Sequence, residues 1–532
     1  MAAALLVCSV VIILCIAANR FSFRFGLPSL LLFMALGMLF GSDGIFKIPF
    51  DNYNFADQVC SIALIFIMFY GGFGTKWDMA RPVAVKAVSL STLGVVMTAL
   101  ITGVFCHFVL GFGFLESFLI GSVISSTDAA SVFSILRSKK LGLKEGTASL
   151  LELESGSNDP AAYMLTTIVL SLMSGDNSHS VGYLIFAQVV YGLLIGVAVA
   201  FLAVLALRKL KFTDGLDTIF VLAVALLSFA LPAVIGGNGY LGAYLAGIII
   251  GNSKIKHKIS LVHFFDGITG LAQIMIFFLL GLLAFPHQIG AIIVPSLLIA
   301  VFLTVFARPV TVFTLLAPMR CSLGQMLLVS WSGLRGASSI VFAIVVTASG
   351  VDTNNDVFHI VFCIALLSVA IQGTLLPVIS RKLNMVDEEN DIGKTFNDYQ
   401  DEKAMHLIRL LIQEGHRWAG QTIHELDLSS DMMAVMIRRN EETIIPKGGT
   451  VIQAGDILVL NGEVYKDETG MVLKEIAVDG DHDWAGKKIK ELELNNNTLI
   501  MLVRRNDGST VVPNGDTKIL KGDVIVVNEE SD

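Results

Sequence analysis

Apolar runs of membrane-spanning length recur along the first 386 residues of this 532-residue chain, and they constrain its fold more than any other feature. A helix needs about 20 mostly apolar residues to cross the hydrocarbon core of a bilayer. The sequence therefore predicts an all-α polytopic membrane bundle of about thirteen transmembrane helices. The predicted spans are residues 2–18, 27–41, 57–74, 84–108, 115–136, 147–173, 181–207, 217–236, 239–251, 264–285, 289–315, 323–348 and 357–380.

Composition supports a membrane protein, because 54% of the residues are hydrophobic and only 15% are charged. Residues 1–386 carry 21 Lys or Arg and 16 Asp or Glu, whereas residues 387–532 carry 16 and 29. An acidic tail argues against nucleic acid as a partner. The sequence contains no phosphate-binding loop, nucleophile elbow or metal-ligand motif, so we expect no enzyme activity, no cofactor and no metal site.

The basic residues of the loops predict the orientation in the membrane. Lys and Arg cluster in every second loop, whereas the loops between them carry only Lys47. Basic loops stay on the cytoplasmic side. The first apolar run has no basic residue before it, unlike a signal peptide. We therefore expect a multi-pass protein of the bacterial cytoplasmic (inner) membrane, with its N-terminus outside and its C-terminus in the cytoplasm.

Polar and ionisable residues interrupt three of the spans, where such groups are expensive and usually functional. Span five contains Asp128 among several hydroxyl residues, and span twelve contains Arg335 between two glycines. Two interrupted spans from distant parts of the chain fit an inverted-repeat transporter with two broken, crossing helices. Span six contains Asp159 between Gly156 and Pro160, so we expect this helix to be locally loosened.

A desolvated carboxylate in such a span can exchange a proton for a bare cation, because both neutralise the same charge. Asp159 is the strongest candidate for this role, while Asp128 is also explained as a hydrogen-bond partner between helices. Glu154 and Arg308 of span eleven are equally well explained as a structural ion pair. Asp266, near the start of span ten, is expected to lie at the membrane interface.

Four strings within residues 1–385 follow the pattern of one known family. They are Ser126-Thr127-Asp128, Glu154-Ser155-Gly156-Ser157-Asn158-Asp159, the glycine-rich run 239–247 with Gly251-Asn252, and Gly333-Leu334-Arg335-Gly336-Ala337. With these strings the sequence resembles the monovalent cation/proton antiporter family, in its NhaP-type branch. The resemblance implies a homodimer in which a core domain moves against a dimerisation domain by alternating access.

The resemblance also implies roles for individual residues. Asp159 would carry the proton and the cation in turn. Glu154 would pair with Arg308, and Arg335 would stabilise the crossing of the broken helices. Asn158 stands where electrogenic relatives have a second Asp, which implies an electroneutral exchange. The remaining residues that would line the ion site are Asp128, Thr127 and Ser155.

The tail repeats itself after a polar linker at residues 387–403. Several short strings, such as Trp418-Ala419-Gly420 and Trp484-Ala485-Gly486, recur about 66 residues apart. Short β-branched runs follow a Gly-Asp turn in each copy. We therefore predict a small cytoplasmic α/β tandem-repeat domain, with one module at 404–465 and a second at 466–532.

Each module resembles the TrkA-C type, the C-terminal subdomain of regulators of potassium conductance. The resemblance implies dimerisation and a possible small ligand, such as a nucleotide or cyclic dinucleotide. The pairs Arg438-Arg439 and Arg504-Arg505 are candidates for holding a phosphate. Exposed turns with solvated charge explain the same four residues.

Together these features favour a potassium/proton antiporter regulated by its tail. The TrkA-C-like modules favour potassium, and so do the Gly156-Ser157 pair and Pro160, which depart from many sodium exchangers. Sodium/proton antiport is the alternative within the same class. From other classes, a ligand-gated potassium channel is suggested by the string Gly239-Tyr240-Leu241-Gly242, and a membrane-anchored sensor would leave Asp159 without a purpose.

Overall fold

The apolar runs form α-helices, and each predicted span coincides with one helix or with adjoining helices. Within the described part of the chain, seven helical stretches are long and apolar enough to cross a membrane. That all thirteen spans cross a membrane stays a prediction. The computed structural model describes residues 2–25, 28–139, 141–175, 180–210, 215–255, 258–387, 406–412, 416, 418–426, 433–439, 442–462, 471–478, 483–492, 498–505, 510–511 and 513–530.

The described chain divides into two units, Met1–Glu402 and Lys403–Asp532. The helices of the first unit are α1 Ala2–Phe25, α2 Ser29–Phe40, α3 Tyr53–Gly74, α4 Trp77–Ala80, α5 Ala84–Ser89, α6 Val95–Phe108, α7 Phe114–Val123, α8 Ala129–Ser138, α9 Thr147–Met173, α10 Val181–Lys209, α11 Leu216–Val234, α12 Gly239–Gly251, α13 Lys258–Leu283, α14 Pro286–Phe302, α15 Arg308–Leu316, α16 Leu323–Trp331, α17 Ala337–Ala348, α18 Val357–Leu367 and α19 Thr374–Lys382. A short strand pair, β1 Gly142–Leu143 and β2 Val386–Asp387, joins two of its loops.

The predicted breaks in spans five and twelve are confirmed. Residues 124–128 separate α7 from α8, and residues 332–336 separate α16 from α17. The two breaks meet, because the backbone N–H of Asp128 donates a 2.8 Å hydrogen bond to the carbonyl of Leu334. The irregular backbone of the two breaks thus finds polar partners inside the protein.

The predicted loosening of span six is wrong. Helix α9 runs without interruption and contains Pro160 in its interior. Proline removes only one backbone donor, and the turns on either side keep theirs. Gly156 and Pro160 therefore do not open this helix, and their roles lie in packing.

The helices pack into two groups. The first bundle contains α1–α3 and α10–α13, and the second bundle contains α4–α9 and α14–α19. Contacts between the bundles are made mainly by α9 and α17 of the second bundle with α3, α12 and α13 of the first. Helix α9, which carries Asp159, therefore lies at the boundary between the bundles.

The tail contains two four-stranded antiparallel sheets with the same strand order, β3-β6-β4-β5 and β7-β10-β8-β9. The identical order confirms the internal repeat. The predicted α/β class implies a helix in each module, and the helical structure found among the described residues of each is a 3₁₀ turn, Ile423–Glu425 and Ile489–Glu491. The strands are β3 His406–Leu411, β4 Met433–Arg439, β5 Glu442–Ile444, β6 Ile457–Gly462, β7 Met471–Ala477, β8 Thr498–Arg504, β9 Thr510–Val511 and β10 Val524–Glu530.

Candidate ion-binding site

Asp159 lies where three interrupted or polar segments converge. Its side chain is 3% exposed. One carboxylate oxygen accepts a hydrogen bond from Ser126 in the break of span five. The other accepts a 2.7 Å hydrogen bond from Ser338 in the first turn of α17. Two hydroxyl groups from distant segments therefore hold a buried carboxylate that has no basic side chain among its described hydrogen-bond partners.

Asn158, Thr127 and Ser155 tie α9 to the same break. The amide of Asn158 donates a 2.6 Å hydrogen bond to the hydroxyl of Thr127. The hydroxyl of Ser155 donates to the carbonyl of Thr127 at 2.9 Å and accepts from the N–H of Ala129 at 2.9 Å. The structure thus brings these predicted residues together beside Asp159, with several oxygens in one small region.

Asp128 directly precedes helix α8 and faces the second break. Its carboxylate accepts hydrogen bonds from the hydroxyl of Ser131 at 2.6 Å and from the N–H of Ser131 at 3.3 Å, as an N-terminal cap does. A Cβ atom on Gly336 would lie 2.0 Å from a carboxylate oxygen of Asp128. Only glycine fits at this position, which explains the glycine after Arg335.

Arg335 stabilises the point at which the two breaks cross. It is 1% exposed, and one guanidinium nitrogen donates to the carbonyls of Ile124 and Ser126 at 2.5 and 2.7 Å. These carbonyls follow the C-terminal end of α7, where the helix dipole favours a positive charge. The guanidinium thereby satisfies backbone acceptors that the break in span five leaves free.

Glu154 and Arg308 form a buried ion pair with an N–O distance of 2.5 Å. The pair joins α9 to the first residue of α15, after a π-helical turn at Leu303–Ala307. Pro309 cannot donate a backbone hydrogen bond at this point, and π turns often accommodate such irregularities. A Cβ atom on Gly333 would lie 2.9 Å from Nε of Arg308, so the pair also packs closely under the break of span twelve.

A cavity of about 520 Å³ lies between the two bundles and reaches Asp159. The second bundle contributes the carboxylates of Asp128, Glu152 and Asp159 to its lining. The first bundle contributes one face of α13, with the polar residues Asp266, Thr269 and Gln273. The cavity therefore connects the buried carboxylate to polar groups from both bundles.

The cavity lining on α13 and the hydrogen-bond partners of Asp159 were not identified from the sequence. Asp266 is exposed and also lines the cavity, whereas its place at the membrane interface stays a prediction. Its spacing to Thr269 and Gln273, three and seven residues, is the available signal, because residues so spaced share a helix face. Ser126 lies within one of the family strings and Ser338 directly follows another, but nothing in the sequence indicated that both hydroxyls reach Asp159.

The glycine string that suggested a channel belongs to helix α12. A Cβ atom on Gly242 would lie 2.3 Å from the carbonyl oxygen of Ser228, and one on Gly247 would lie 2.1 Å from that of Phe69. These glycines let neighbouring helices approach closely. A selectivity filter instead presents rows of free carbonyls, so the string gives no support to a channel.

The tail arginines differ in their environments. Arg439 donates two hydrogen bonds, at 2.7 and 2.8 Å, to the buried carboxylate of Asp456, and these bonds hold the pKa of Asp456 below its usual value. Arg505 donates to Asp523 at 2.5 Å in the second module. Arg438 and Arg504 are exposed. The second arginine of each pair is therefore engaged within its own module, and a phosphate would have to compete with that carboxylate.

The chain has relatives among proteins named as antiporters. It is 36% identical over 383 residues to the "K(+)/H(+) antiporter NhaP" of Alkalimonas amylolytica, covering 72% of this chain and 67% of that protein. It is 31% identical over 449 residues to the "K(+)/H(+) antiporter NhaP2" of Shewanella baltica, covering 83% and 78%. A "Probable Na(+)/H(+) antiporter 2" of Methanocaldococcus jannaschii is 26% identical over 339 residues, covering 61% and 79%.

The fold also matches a solved structure. The sodium proton antiporter MjNhaP1 from Methanocaldococcus jannaschii superposes with a TM-score of 0.63 at 23% identity, covering 70% of this chain and 97% of that one. Residues 407–464 and 473–528 each match the TrkA-C domain. Residues 9–382 match the family described as sodium/hydrogen exchanger, transmembrane. The chain therefore belongs to the sodium/hydrogen exchanger family of membrane antiporters and carries two TrkA-C domains at its C-terminal end.

Proposed function

We propose that this protein is a potassium/proton antiporter that works by alternating access, with Asp159 binding either a proton or a potassium ion. The single observation that carries the proposal is the buried carboxylate of Asp159. It is held by the hydroxyls of Ser126 and Ser338 and lines a cavity between the two bundles. A carboxylate in this setting must be neutralised to move, and a proton and a cation do so in turn.

The immediate surroundings of Asp159 support one proton per cation. Asn158 is neutral, and its amide donates to Thr127 while its oxygen accepts from Ser126. An aspartate at this position would lose the donor and add a second buried charge. Glu154 is neutralised by Arg308. We therefore propose an electroneutral exchange in which Asp128, Thr127 and Ser155 line the ion site, with Arg335 supporting the crossing.

We propose that cations reach Asp159 along the face of α13 that lines the cavity. Asp266 is exposed at the outer part of this face, and Thr269 has a buried hydroxyl without a partner among the described residues. Gln273 follows at the next turn of the same face. Oxygens at successive turns can replace the water shell of a cation in steps.

The wider assignments are proposals of the same kind. Residues 1–386 would form the transport domain of a homodimer in the bacterial inner membrane, with the N-terminus outside. After the linker at 387–403, modules 404–465 and 466–532 would regulate exchange from the cytoplasm, with a nucleotide or cyclic dinucleotide as the candidate ligand. Two relatives whose names specify potassium and the two TrkA-C domains support potassium as the cation.

The test is cation-driven proton flux in proteoliposomes, with potassium and sodium compared at several pH values. We expect potassium to move protons at lower concentration than sodium. We also expect the rate to be unchanged when the membrane potential is collapsed. A chain ending at residue 386 should keep basal exchange and change its pH dependence. A sodium-only flux would overturn the choice of cation, and no flux with either ion would favour a channel or a sensor.

A further inference from the structure

Helix α12 of the first bundle contacts helix α9 of the second along a polar seam beside Asp159. Asn238, the N-cap of α12, donates a 2.7 Å hydrogen bond from its side chain to the carbonyl of Pro160. The hydroxyl of Ser157 donates a 3.2 Å hydrogen bond to the hydroxyl of Tyr244. These two bonds join the bundles on either side of Asp159 in the sequence of α9.

Gly156 makes this close contact possible. A Cβ atom at Gly156 would lie 2.8 Å from a ring carbon of Tyr244 and 3.0 Å from its hydroxyl oxygen. Any larger residue would separate the bundles at this point. Gly156, Ser157 and Pro160 thus all contact α12 or its N-cap residue here.

Tyr244 belongs to the first bundle and also forms a hydrogen bond with the second. It is 3% exposed, and its backbone lies close against α3, where a Cβ atom on Gly72 would be 2.2 Å from the carbonyl oxygen of Tyr244. The first bundle therefore holds Tyr244, while the bond to Ser157 crosses to α9. A shift of α9 that carries Asp159 away from the cavity must break this crossing bond.

We propose that Tyr244 is a positioning residue that stabilises the arrangement with the cavity open to Asp159, through its bond to Ser157 and its contact with Gly156. The proposal rests on the alternating access proposed above. Breaking the bond destabilises the arrangement described here relative to the arrangement in which the cavity opens to the opposite side. Tyr244 sets the equilibrium between these two arrangements and does not alter the ion site itself.

The test compares wild type with Ser157→Ala, Tyr244→Phe and the double variant, and uses Tyr183→Phe as a matched control. Tyr183 lies on α10 and is 40% exposed, so its hydroxyl is outside the seam. The apparent KM for potassium is measured from each face of the membrane, in everted and right-side-out vesicles. An apparent affinity falls in proportion to the population of the competent arrangement.

We expect Ser157→Ala and Tyr244→Phe to raise KM on the face where the cavity opens and to lower it on the other face. The ratio of the two KM values should change roughly two- to tenfold, the range for one neutral hydrogen bond. The double variant should shift the ratio less than the product of the single shifts, because its two changes remove one shared bond. Tyr183→Phe should leave the ratio unchanged.

A second readout does not depend on transport. Cysteine introduced by Thr269→Cys lies in the cavity, and its labelling rate with a membrane-impermeant maleimide reports how often the cavity is open. Ser157→Ala should slow this labelling by a similar factor. Unchanged labelling, or KM values that move together on both faces, would overturn the role of Tyr244. If wild type shows no cation-driven proton flux but Ser157→Ala still slows the labelling, antiport is refuted while the role of the contact between Ser157 and Tyr244 stands.

Discussion

An Asp159→Asn chain is expected to lose cation-driven proton flux down to the level of protein-free liposomes, while it folds and inserts normally. Asparagine has nearly the same size, and its amide can still bond Ser126 and Ser338. It cannot bind or release a proton, and it offers a cation no negative charge. The chemistry would therefore be removed without removing the packing.

The control for this variant is Asp217→Asn. Asp217 is also buried, but it lies at the start of α11 and hydrogen-bonds the neighbouring Thr218. Removing the charge of Asp217 should leave cation-driven proton flux unchanged. Flux, size-exclusion profile and thermal stability are compared for the two variants. Exchange that survives Asp159→Asn would move the carrier role to Asp128.

Arg308→Ala is expected to reduce folding and yield more than ion selectivity. The substitution leaves the carboxylate of Glu154 buried without its partner, which typically costs about 3–5 kcal/mol. It also removes the side chain that packs under Gly333 at the break of span twelve. We expect low yield and a lower unfolding temperature in detergent.

The matched variant for this prediction is Arg308→Met with Glu154→Gln, which removes both charges and keeps most of the volume. It should recover much of the lost stability, because no unpaired charge is left. Yield and unfolding temperature are measured for both variants. A normal yield of Arg308→Ala together with altered preference between potassium and sodium would assign Arg308 to the ion path.

Much of the membrane fold could be predicted because hydropathy is a local property of the sequence. The apolar runs coincide with helices, and the breaks at Asp128 and Arg335 were marked by polar residues and glycines inside those runs. The wrong expectation for α9 has a physical reason. One proline removes a single donor, and packing against α12 supports the helix around Pro160.

The partners of Asp159 could not be predicted, because they are close in space and distant in sequence. Ser126 lies 33 residues away and Ser338 lies 179 residues away. The same is true of Tyr244, which lies 87 residues from Ser157. Composition identifies candidate polar residues, whereas only the packing of two bundles decides which of them meet.

In the tail, the repeat was evident from the sequence but the local conformation was not. Its repeat could be identified from matching strings, but the helical part expected of an α/β module appears in the described residues as a 3₁₀ turn, at Ile423–Glu425 and Ile489–Glu491. Glu425 and Glu491 each accept a hydrogen bond from the backbone N–H at the start of the turn, at 2.8 and 2.9 Å. A repeated motif thus marks a conformation that recurs, without specifying which one.

The claim that proton and cation share Asp159 is tested most directly by the pH dependence of the apparent KM for potassium in proteoliposomes. Competition for one carboxylate predicts that KM rises about tenfold for each unit that the pH falls on the acid side of the site's titration, with little change in the maximal rate. A KM that stays constant while only the maximal rate changes would contradict a shared site.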